Sequence, residues 1–408
     1  MGVKGELFMN IVEKCYCRVF QFVFRVLLPV LPYRDPEVLS SEEEIVGVLK
    51  KKGSKSVLIV TDEGLHRLGL LDELKAALKS EEIAYVVYDK TVANPTVVNV
   101  EEARRMYLES DCSAIIGFGG GSPIDCAKAV GARVVRPKKP IPKMKGVLKV
   151  RRRLPLFIAV PTTAGTGSET TLAAVITEGE TRHKFPINDF VLIPQYAALM
   201  PEITRGLPPF ITATTGMDAL THAVEAYIGR STTKETRKYA LESIRLIFSN
   251  IETAYTDGNN MEARKQMLYA SFLAGKAFSK SYVGYCHAVA HSLGGRYNTP
   301  HGFANAVLLP NVLELYGEAV YGRLKETAVA VGLAEEETDE KAAALCFIEK
   351  IRMHNQNLGI PAVIRELKEE DIRKMAVHAA KEGNPLYPVP KLFNAKDLEP
   401  LYYSVMER

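Results

Sequence analysis

Cysteine is scarce in this chain: six residues in 408, at positions 15, 17, 112, 126, 286 and 346, with no C-x-x-C pair among them. So sparse and scattered a set gives no sign of a disulfide framework and reads as a protein of a reducing cytosol. Long apolar runs are lacking too. The N-terminal stretch VFQFVFRVLLPVLP has 14 residues, carries Arg25 and two prolines, and shows no small-residue cleavage site, whereas a spanning helix needs about 20 apolar residues. A signal peptide and a membrane anchor are both disfavoured, and the stretch is expected to pack on the first domain or on a neighbouring subunit. Internal repeats and low-complexity tracts are absent, which leaves no solenoid to consider.

Acid is missing from one segment. Between Arg133 and Arg153 stand ten Lys or Arg and no Asp or Glu, so the net charge of +4 conceals a remainder with 42 bases to 48 acids. Such a patch can attract nucleic acid, a membrane surface or an acidic partner. Its Pro- and Lys-rich composition reads instead as a solvated loop, and no nucleic-acid or membrane partner is expected.

What is present is the composition of an ordinary globular chain, 47% hydrophobic and 25% charged, long enough for two domains. In the first half, helical and strand-like stretches alternate. SSEEEIVGVLKKKG has a capping serine, early acids, late lysines and a closing glycine; KSVLIVTD, LLDELKAALKSE and IAYVVYD make a βαβ unit; VVNVEEARRMYLES leads to the buried strand SAIIGF. The pattern implies an α/β domain with a parallel sheet and helices on both faces over residues 1–201. After about Pro201 helical patterns take over, at 235–255, 261–280, 312–332, 338–358 and 362–381, so residues 202–408 read as an all-α domain.

The dinucleotide fingerprint G-x-G-x-x-G is absent, yet two loops look ready for an anion. In GGGSPIDCAKAVGA, Gly120 and Gly121 let the backbone approach closely, Ser122 is placed to cap a helix, Pro123 suits its first position and Asp125 stands where a capping box puts its acid. In PTTAGTGSETT, Thr162, Thr163, Thr166 and Ser168 offer hydroxyls around two glycines, a loop able to wrap a pyrophosphate or ribose.

The richest stretch is HAVAHSLGGRYNTPH, from His287 to His301, which holds three of the eight histidines. His287 and His291 stand four apart, on one helix face. Gly294 and Gly295 are expected to end that helix so that a loop returns His301 to the same place. Upstream, TTGMDALTHAVEAYI repeats the spacing with Asp218 and His222 after a threonine placed to cap. Three or four imidazoles with one carboxylate suit a divalent first-row metal, zinc and ferrous iron alike.

Together GGGSPID, PTTAGTGSE, GMDALTHAVEAYI and HAVAHSLGGRYNTPHGFANAVLLP resemble, in kind, order and spacing, the iron-containing (group III) alcohol dehydrogenase family over about residues 40–390. The resemblance implies an α/β dinucleotide-binding domain, a helical domain and an active site in the cleft between them. It implies that Asp218, His222, His287 and His301 bind the metal and that His291 stands beside it to transfer a proton. Gly120, Gly121, Ser122, Asp125, Thr162, Thr163 and Thr166 fall on or beside cofactor positions, as do Asn94, Thr171 and Lys184. Asp62 matches a position next to the adenosine ribose, where its carboxylate favours NAD over NADP. The chain departs from the family at Ser292, where proline is common, and at Tyr282 and Tyr285, in a usually Gly-rich approach; these tyrosines are expected on the substrate side.

The implied reaction is metal- and NAD-dependent alcohol oxidation or aldehyde reduction, with hydride passing between a metal-bound alkoxide and nicotinamide. Fe2+ is the expected ion, Zn2+ its substitute, and the enzyme is expected to be a cytoplasmic homodimer. One rival is a dehydroquinate-synthase-like lyase using the same cofactors; it would want Lys and Arg beside the ligands, but residues 282–310 contain only Arg296. The other, a nucleotide-binding regulator without turnover, gives His291 no purpose.

Overall fold

The computed structural model describes residues 9, 11–179 and 184–407. They fall into two compact units, Pro32–Gly206 and Leu207 onward; the described residues up to Leu31 group with the second. The helix that opens the chain, α1 (Ile11–Leu27), is thus part of the helical unit, not of the α/β unit in which residues 1–201 were expected to lie together.

The α/β unit follows the expected alternation: β1 (Glu37–Leu39), α2 (Glu42–Lys51), β2 (Ser56–Val60), α3 (Glu63–Arg67), α4 (Asp72–Ser80), β3 (Ala84–Tyr88), α5 (Val97–Glu109), β4 (Ala114–Gly119), α6 (Gly121–Val135), β5 (Gly146–Val147), β6 (Leu156–Pro161), β7 (Ala173–Thr177), β8 (Lys184–Asn188) and β9 (Tyr196–Ala198). Six strands pair in parallel in the order β1-β9-β6-β4-β2-β3. Every residue of β4 is buried, because helices cover both faces of a sheet whose central strand is therefore apolar throughout. One core cluster includes Leu58, Ile115 and Phe157, the other Ile59, Ile116 and Ile158: alternate side chains of the same strands go to opposite faces. The remaining strands, β5, β8 and β7, form a small separate sheet in which β7 and β8 are antiparallel.

Register places the loops that matter. Gly119 at the end of β4 pairs with Pro161 at the end of β6, and the Thr162 N–H donates to the Gly119 carbonyl at 3.1 Å. The glycine-rich and threonine-rich loops thus emerge side by side at the carboxyl edge of neighbouring strands, where open α/β sheets bind ligands.

The basic segment is not wholly a solvated loop. Ile141 and Met144 are buried in a 3₁₀ turn, Arg133 is buried beside Glu101 and donates to the Arg136 and Pro137 carbonyls, and Lys139 donates to the Lys149 carbonyl. Arg136 and Arg152 likewise donate to the Val150 and Val135 carbonyls, while Lys138, Lys143, Lys145, Lys149 and Arg151 to Arg153 are exposed.

The helical unit adds α7 (Pro209–Ile228), α8 (Lys234–Thr256), α9 (Met261–Ser281), α10 (Tyr285–Tyr297), α11 (His301–Tyr316), α12 (Tyr321–Ala330), α13 (Glu340–Asn357), α14 (Glu369–Gly383) and α15 (Ala395–Ser404) to α1. α7 is buried from Met217 to Ile228 and packs on α8, α9 and α11, so its polar residues face protein instead of water. The pattern at 312–332 divides into the tail of α11 and α12, because Gly317 takes φ +55°. The one expected from 362 begins only at Glu369.

Candidate active site

Asp218 and His222 project from α7, His287 from the first turn of α10, and His301 from the first position of α11. Each offers a ligand atom within 4.8 Å of every other. Asp218 Oδ1 is 3.5 Å from His301 Nε2 and 3.9 Å from His287 Nε2, and Asp218 Oδ2 is 4.0 Å from His222 Nδ1. Asp218, His222 and His287 are buried and His301 is half-buried.

Two local expectations are corrected. Gly294 and Gly295 lie inside α10, which runs on to Tyr297 and stops at Asn298 in the left-handed conformation, φ +56°. His301 is then carried by a helix N-terminus after Pro300, not by a loop. The threonines before Asp218 do not cap α7. The helix starts at Pro209, and the Thr214 and Thr215 hydroxyls donate back to the carbonyls of Phe210 and Ile211. α11 comes unusually close to α7: a Cβ on Gly302 would lie 2.3 Å from the Thr214 carbonyl oxygen, so only glycine lets His301 reach Asp218.

The ligand set is held by groups that local spacing shows only faintly. His287 Nδ1 is 2.6 Å from Glu225 Oε2, and that carboxylate also accepts N–H bonds from Gly284 and Cys286 at 2.8 Å each. Burial pushes the Glu225 carboxyl up to about 7 against the pull of those N–H donors. Burial, with the neighbouring imidazoles, holds His287 well below the usual histidine range. A neutral ring with its Nδ1 proton on Glu225 presents a lone pair at Nε2, and that buried atom has no hydrogen-bond partner among the described residues. An orphaned imidazole nitrogen facing an aspartate and two more imidazoles is what a divalent cation would satisfy, so the donors fit a metal. Asn305 donates to Asp218 Oδ1 at 2.7 Å and its Nδ2 lies 3.2 Å from His301 Nε2. His222 stacks on Phe278 with centroids 4.1 Å apart. Glu225 lies on the α7 face of Asp218 and His222, and Asn305 one turn after His301; periodicity points to both.

His291 stands outside the four. Its ring stacks on His301 at 5.1 Å, and its Nδ1 lies 2.5 Å from Glu382 Oε1, which also accepts the Tyr387 hydroxyl at 2.7 Å. Burial pushes the Glu382 carboxyl up, but His291 and Tyr387 together draw it below its ordinary range. Of the two tyrosines expected on the substrate side, Tyr285 is fully buried and its hydroxyl is tied to Asn384 and the Phe393 carbonyl, a structural role. Tyr282 is half-buried at φ +61° and packs against Phe24 and Tyr387.

In the α/β unit, Gly120 is the N-cap of α6, Gly121 its first residue and Ser122 its second; Ser122 therefore does not cap, and its Oγ accepts the Asn94 N–H at 3.2 Å. A Cβ on Gly121 would lie 3.1 Å from the Thr166 methyl and one on Gly120 3.4 Å from Thr163 Oγ1, so both threonines flank the helix N-terminus. Free N–H groups, helix dipole and hydroxyls meet there, an anion cradle. Thr162 is buried behind it.

Asp125 is not the acid of a capping box. Its oxygens accept the Ser168 hydroxyl at 2.7 Å and the Val175 N–H at 2.9 Å, and Thr171 Oγ1 accepts Lys128 Nζ at 2.9 Å. Buried Lys128 also donates to Ser168 and to the Thr171 and Ala173 carbonyls, pinning the threonine loop to α6. Burial lowers it to about 8, although Asp125 and Glu169 pull the other way. Glu169 is buried beside it, its carboxyl pushed up to about 7 by burial. Asp125 and Thr171 thus shape the loop instead of lining it. Lys184 sits in β8, half-buried, its pKa lowered by burial. Asp62 caps α3, with Oδ1 accepting the Leu65 N–H at 3.0 Å.

Two family models match the chain: "Iron-containing alcohol dehydrogenase" over residues 39–201 and "Fe-containing alcohol dehydrogenase family, C-terminal" over 212–406. The 1,3-propanediol dehydrogenase of Citrobacter freundii is 37% identical over 384 residues, 93% of this chain and 98% of that protein. A crystal structure of a 1,3-propanediol oxidoreductase superposes with a TM-score of 0.88 at 35% identity, covering 91% of this chain and 99% of the other. The sulfoacetaldehyde reductase of Bifidobacterium kashiwanohense, solved in complex with NAD+, gives 0.81 at 27% identity over 91% and 98%.

Proposed function

This chain belongs to the iron-containing alcohol dehydrogenase family, and from that premise we propose that it is a metal- and NAD-dependent alcohol dehydrogenase that in reverse reduces an aldehyde. The observation that carries the reading is the convergence of Asp218, His222, His287 and His301 around one point. A divalent ion bound there supplies the Lewis acidity that lowers the pKa of an alcohol oxygen, and bound NAD supplies the carbon that takes the hydride. We favour ferrous iron: Asp218, His222, His287 and His301 would by themselves fill the four positions that zinc ordinarily offers.

The chain's own groups do the rest. Glu225 holds His287 in the tautomer that offers Nε2, and Asn305 orients the Asp218 carboxylate. Glu382 fixes His291 through Nδ1, so proton exchange with the hydroxyl or with water falls to Nε2. The cradle of Gly120, Gly121, Ser122, Thr162, Thr163 and Thr166 takes the cofactor pyrophosphate, with Asn94, Asp125, Thr171 and Lys184 supporting it. Asp62 faces the adenosine ribose and disfavours a 2′-phosphate, a preference for NAD over NADP that its second carboxylate oxygen is available to exert. NAD+ in the related reductase supports the choice of nicotinamide cofactor.

The lyase reading is disfavoured because Arg296 is engaged by Asp371 at 2.9 Å; the regulator reading leaves the pairing of His291 with Glu382 without use. We further propose a cytoplasmic homodimer with no nucleic-acid or membrane partner. Scattered cysteines support the compartment, and no described helix is long and apolar enough to cross a membrane. The test is anaerobic metal analysis together with a panel of alcohols and aldehydes, following NADH. Accumulating NADH with a simple alcohol and about one ion per chain is expected; a chain without bound ion, or with NADH that never accumulates, overturns the reading.

A further inference from the structure

The segment after α14 can do little to bond itself. It reads NPLYPVP from Asn384 to Pro390, and its three prolines carry no N–H, so it cannot continue the helix or join a sheet. Tyr387, Pro388 and Val389 are buried all the same, and buried carbonyls need donors. Beyond a bond from the Val389 N–H to the Tyr387 carbonyl at 2.8 Å, donors come from outside: the Arg230 N–H, 2.6 Å from the Pro388 carbonyl, and the inner face of α1. Gln21 donates to the Tyr387 carbonyl at 2.7 Å and the Pro385 carbonyl at 3.3 Å, and Arg18 donates to the Val389 and Pro390 carbonyls at 2.7 and 2.9 Å. Arg18 also donates to Gln21 Oε1 at 2.8 Å, so the two side chains form one clamp. One turn on, the Phe24 ring meets Tyr282 edge-on at 5.0 Å, and Tyr282 lies 6.5 Å from the Tyr387 ring.

What the clamp holds has a use. The Tyr387 hydroxyl and His291 Nδ1 meet on the same oxygen of Glu382, at 2.7 and 2.5 Å. Tyr387 therefore fixes where that oxygen stands, and with it the orientation of the imidazole. A ring that exchanges a proton must be held within a fraction of an ångström, and small displacements arising far from the chemistry are costly. We propose that Arg18 and Gln21 are positioning residues for His291: they hold the Pro-rich segment in place, and through Tyr387 and Glu382 they hold the ring. The inference rests on the proton-transfer reading of His291 above and extends it to a helix that lies outside the region matched by the family models, both of which begin after α1 ends.

The test is the kinetics of the full metal-loaded chain carrying Arg18→Met or, independently, Gln21→Met; methionine keeps an apolar stem and removes the donors. Each should lower kcat by about 10-fold, a share of the ~10²-fold that acid–base assistance supplies, with metal content and the KM of alcohol and NAD unchanged. Arg18→Lys, which keeps a donor, should recover part of the loss. In a Glu382→Gln background, Arg18→Met should cost no more than about 2-fold further, because the two changes act along one path. A second readout needs no turnover. In the zinc-loaded chain with nitrogen-15-labelled histidine, the ring signals that His291→Ala removes should shift in Arg18→Met as they do in Glu382→Gln. If His291→Ala leaves kcat unchanged, the proton-transfer reading and this one fall together. If His291→Ala lowers kcat but Arg18→Met and Gln21→Met leave both kcat and the His291 signals as they were, this inference alone falls. It falls alone too if the losses in Arg18→Met and Glu382→Gln simply multiply.

Discussion

Nδ1 of His287 lies 2.6 Å from Oε2 of Glu225, and both side chains are buried. In the proposed metal centre this pair decides which nitrogen of His287 faces the ion. Asp218→Ala, His222→Ala, His287→Ala and His301→Ala should each give folded protein with little bound metal, because each removes a donor. Glu225→Gln should keep the donors but weaken metal binding by about 10–100-fold, the usual cost of losing such a carboxylate partner. Competition with a chelator would measure it; unaltered affinity in Glu225→Gln would show that the tautomer is set elsewhere.

His291→Ala should retain metal and NAD affinity while kcat falls by about 10²-fold, the ordinary size of acid–base assistance. Glu382→Gln, which keeps the shape but not the charge, should lower kcat in the same direction with little change in KM, and external imidazole should rescue His291→Ala but not Glu382→Gln. If His291→Ala strips the metal while His301→Ala retains it, the two roles are reversed.

Asp62 has two tasks that one substitution can separate. Asp62→Gly should improve NADP relative to NAD but also removes the side-chain cap of α3, at a cost of about a few tenths of a kcal/mol. Asp62→Ser keeps a capping oxygen and removes the charge, so it should shift the ratio of kcat/KM for NADP over NAD without a fall in Tm. An unchanged ratio in both would leave Asp62 with the cap alone.

Glu169 predicts a pH dependence of stability. Its folded-state pKa of about 7 lies above the ordinary 4.5, so the folded chain binds this proton more tightly than the unfolded one. The stabilisation is full below about 4.5 and is lost as pH rises through 7, in total about 3 kcal/mol. Glu169→Gln should flatten the decline between pH 5 and 8 in denaturant titrations. An equally steep decline in that variant would remove Glu169 as its source.

Much of this architecture was legible because it is periodic. Asp218 with His222, and His287 near His301, announced themselves through helical spacing, and the β-rich runs gave β2, β3 and β4 close to their limits. The errors came where a side chain has two uses. Threonines 214 and 215 look like caps, but bond back into α7. Gly294 and Gly295 look like a stop, but neighbouring packing carries α10 through them. Glu382 was out of reach altogether: it meets His291 from 91 residues away, and no local pattern encodes that pairing.

The inner face of α1 has a practical consequence for anyone choosing where to cut the gene. The matched family region begins at residue 39, which makes the preceding residues look dispensable. Yet Arg18 and Gln21 hold the carbonyls of residues 385, 387, 389 and 390, and the same stretch supplies the Tyr387 hydroxyl that reaches Glu382 and through it His291. A chain trimmed to that boundary would keep its sheet and Asp218, His222, His287 and His301, the proposed metal donors. Its turnover should be low all the same, because His291, the proposed proton carrier, would lose distant moorings along with those residues.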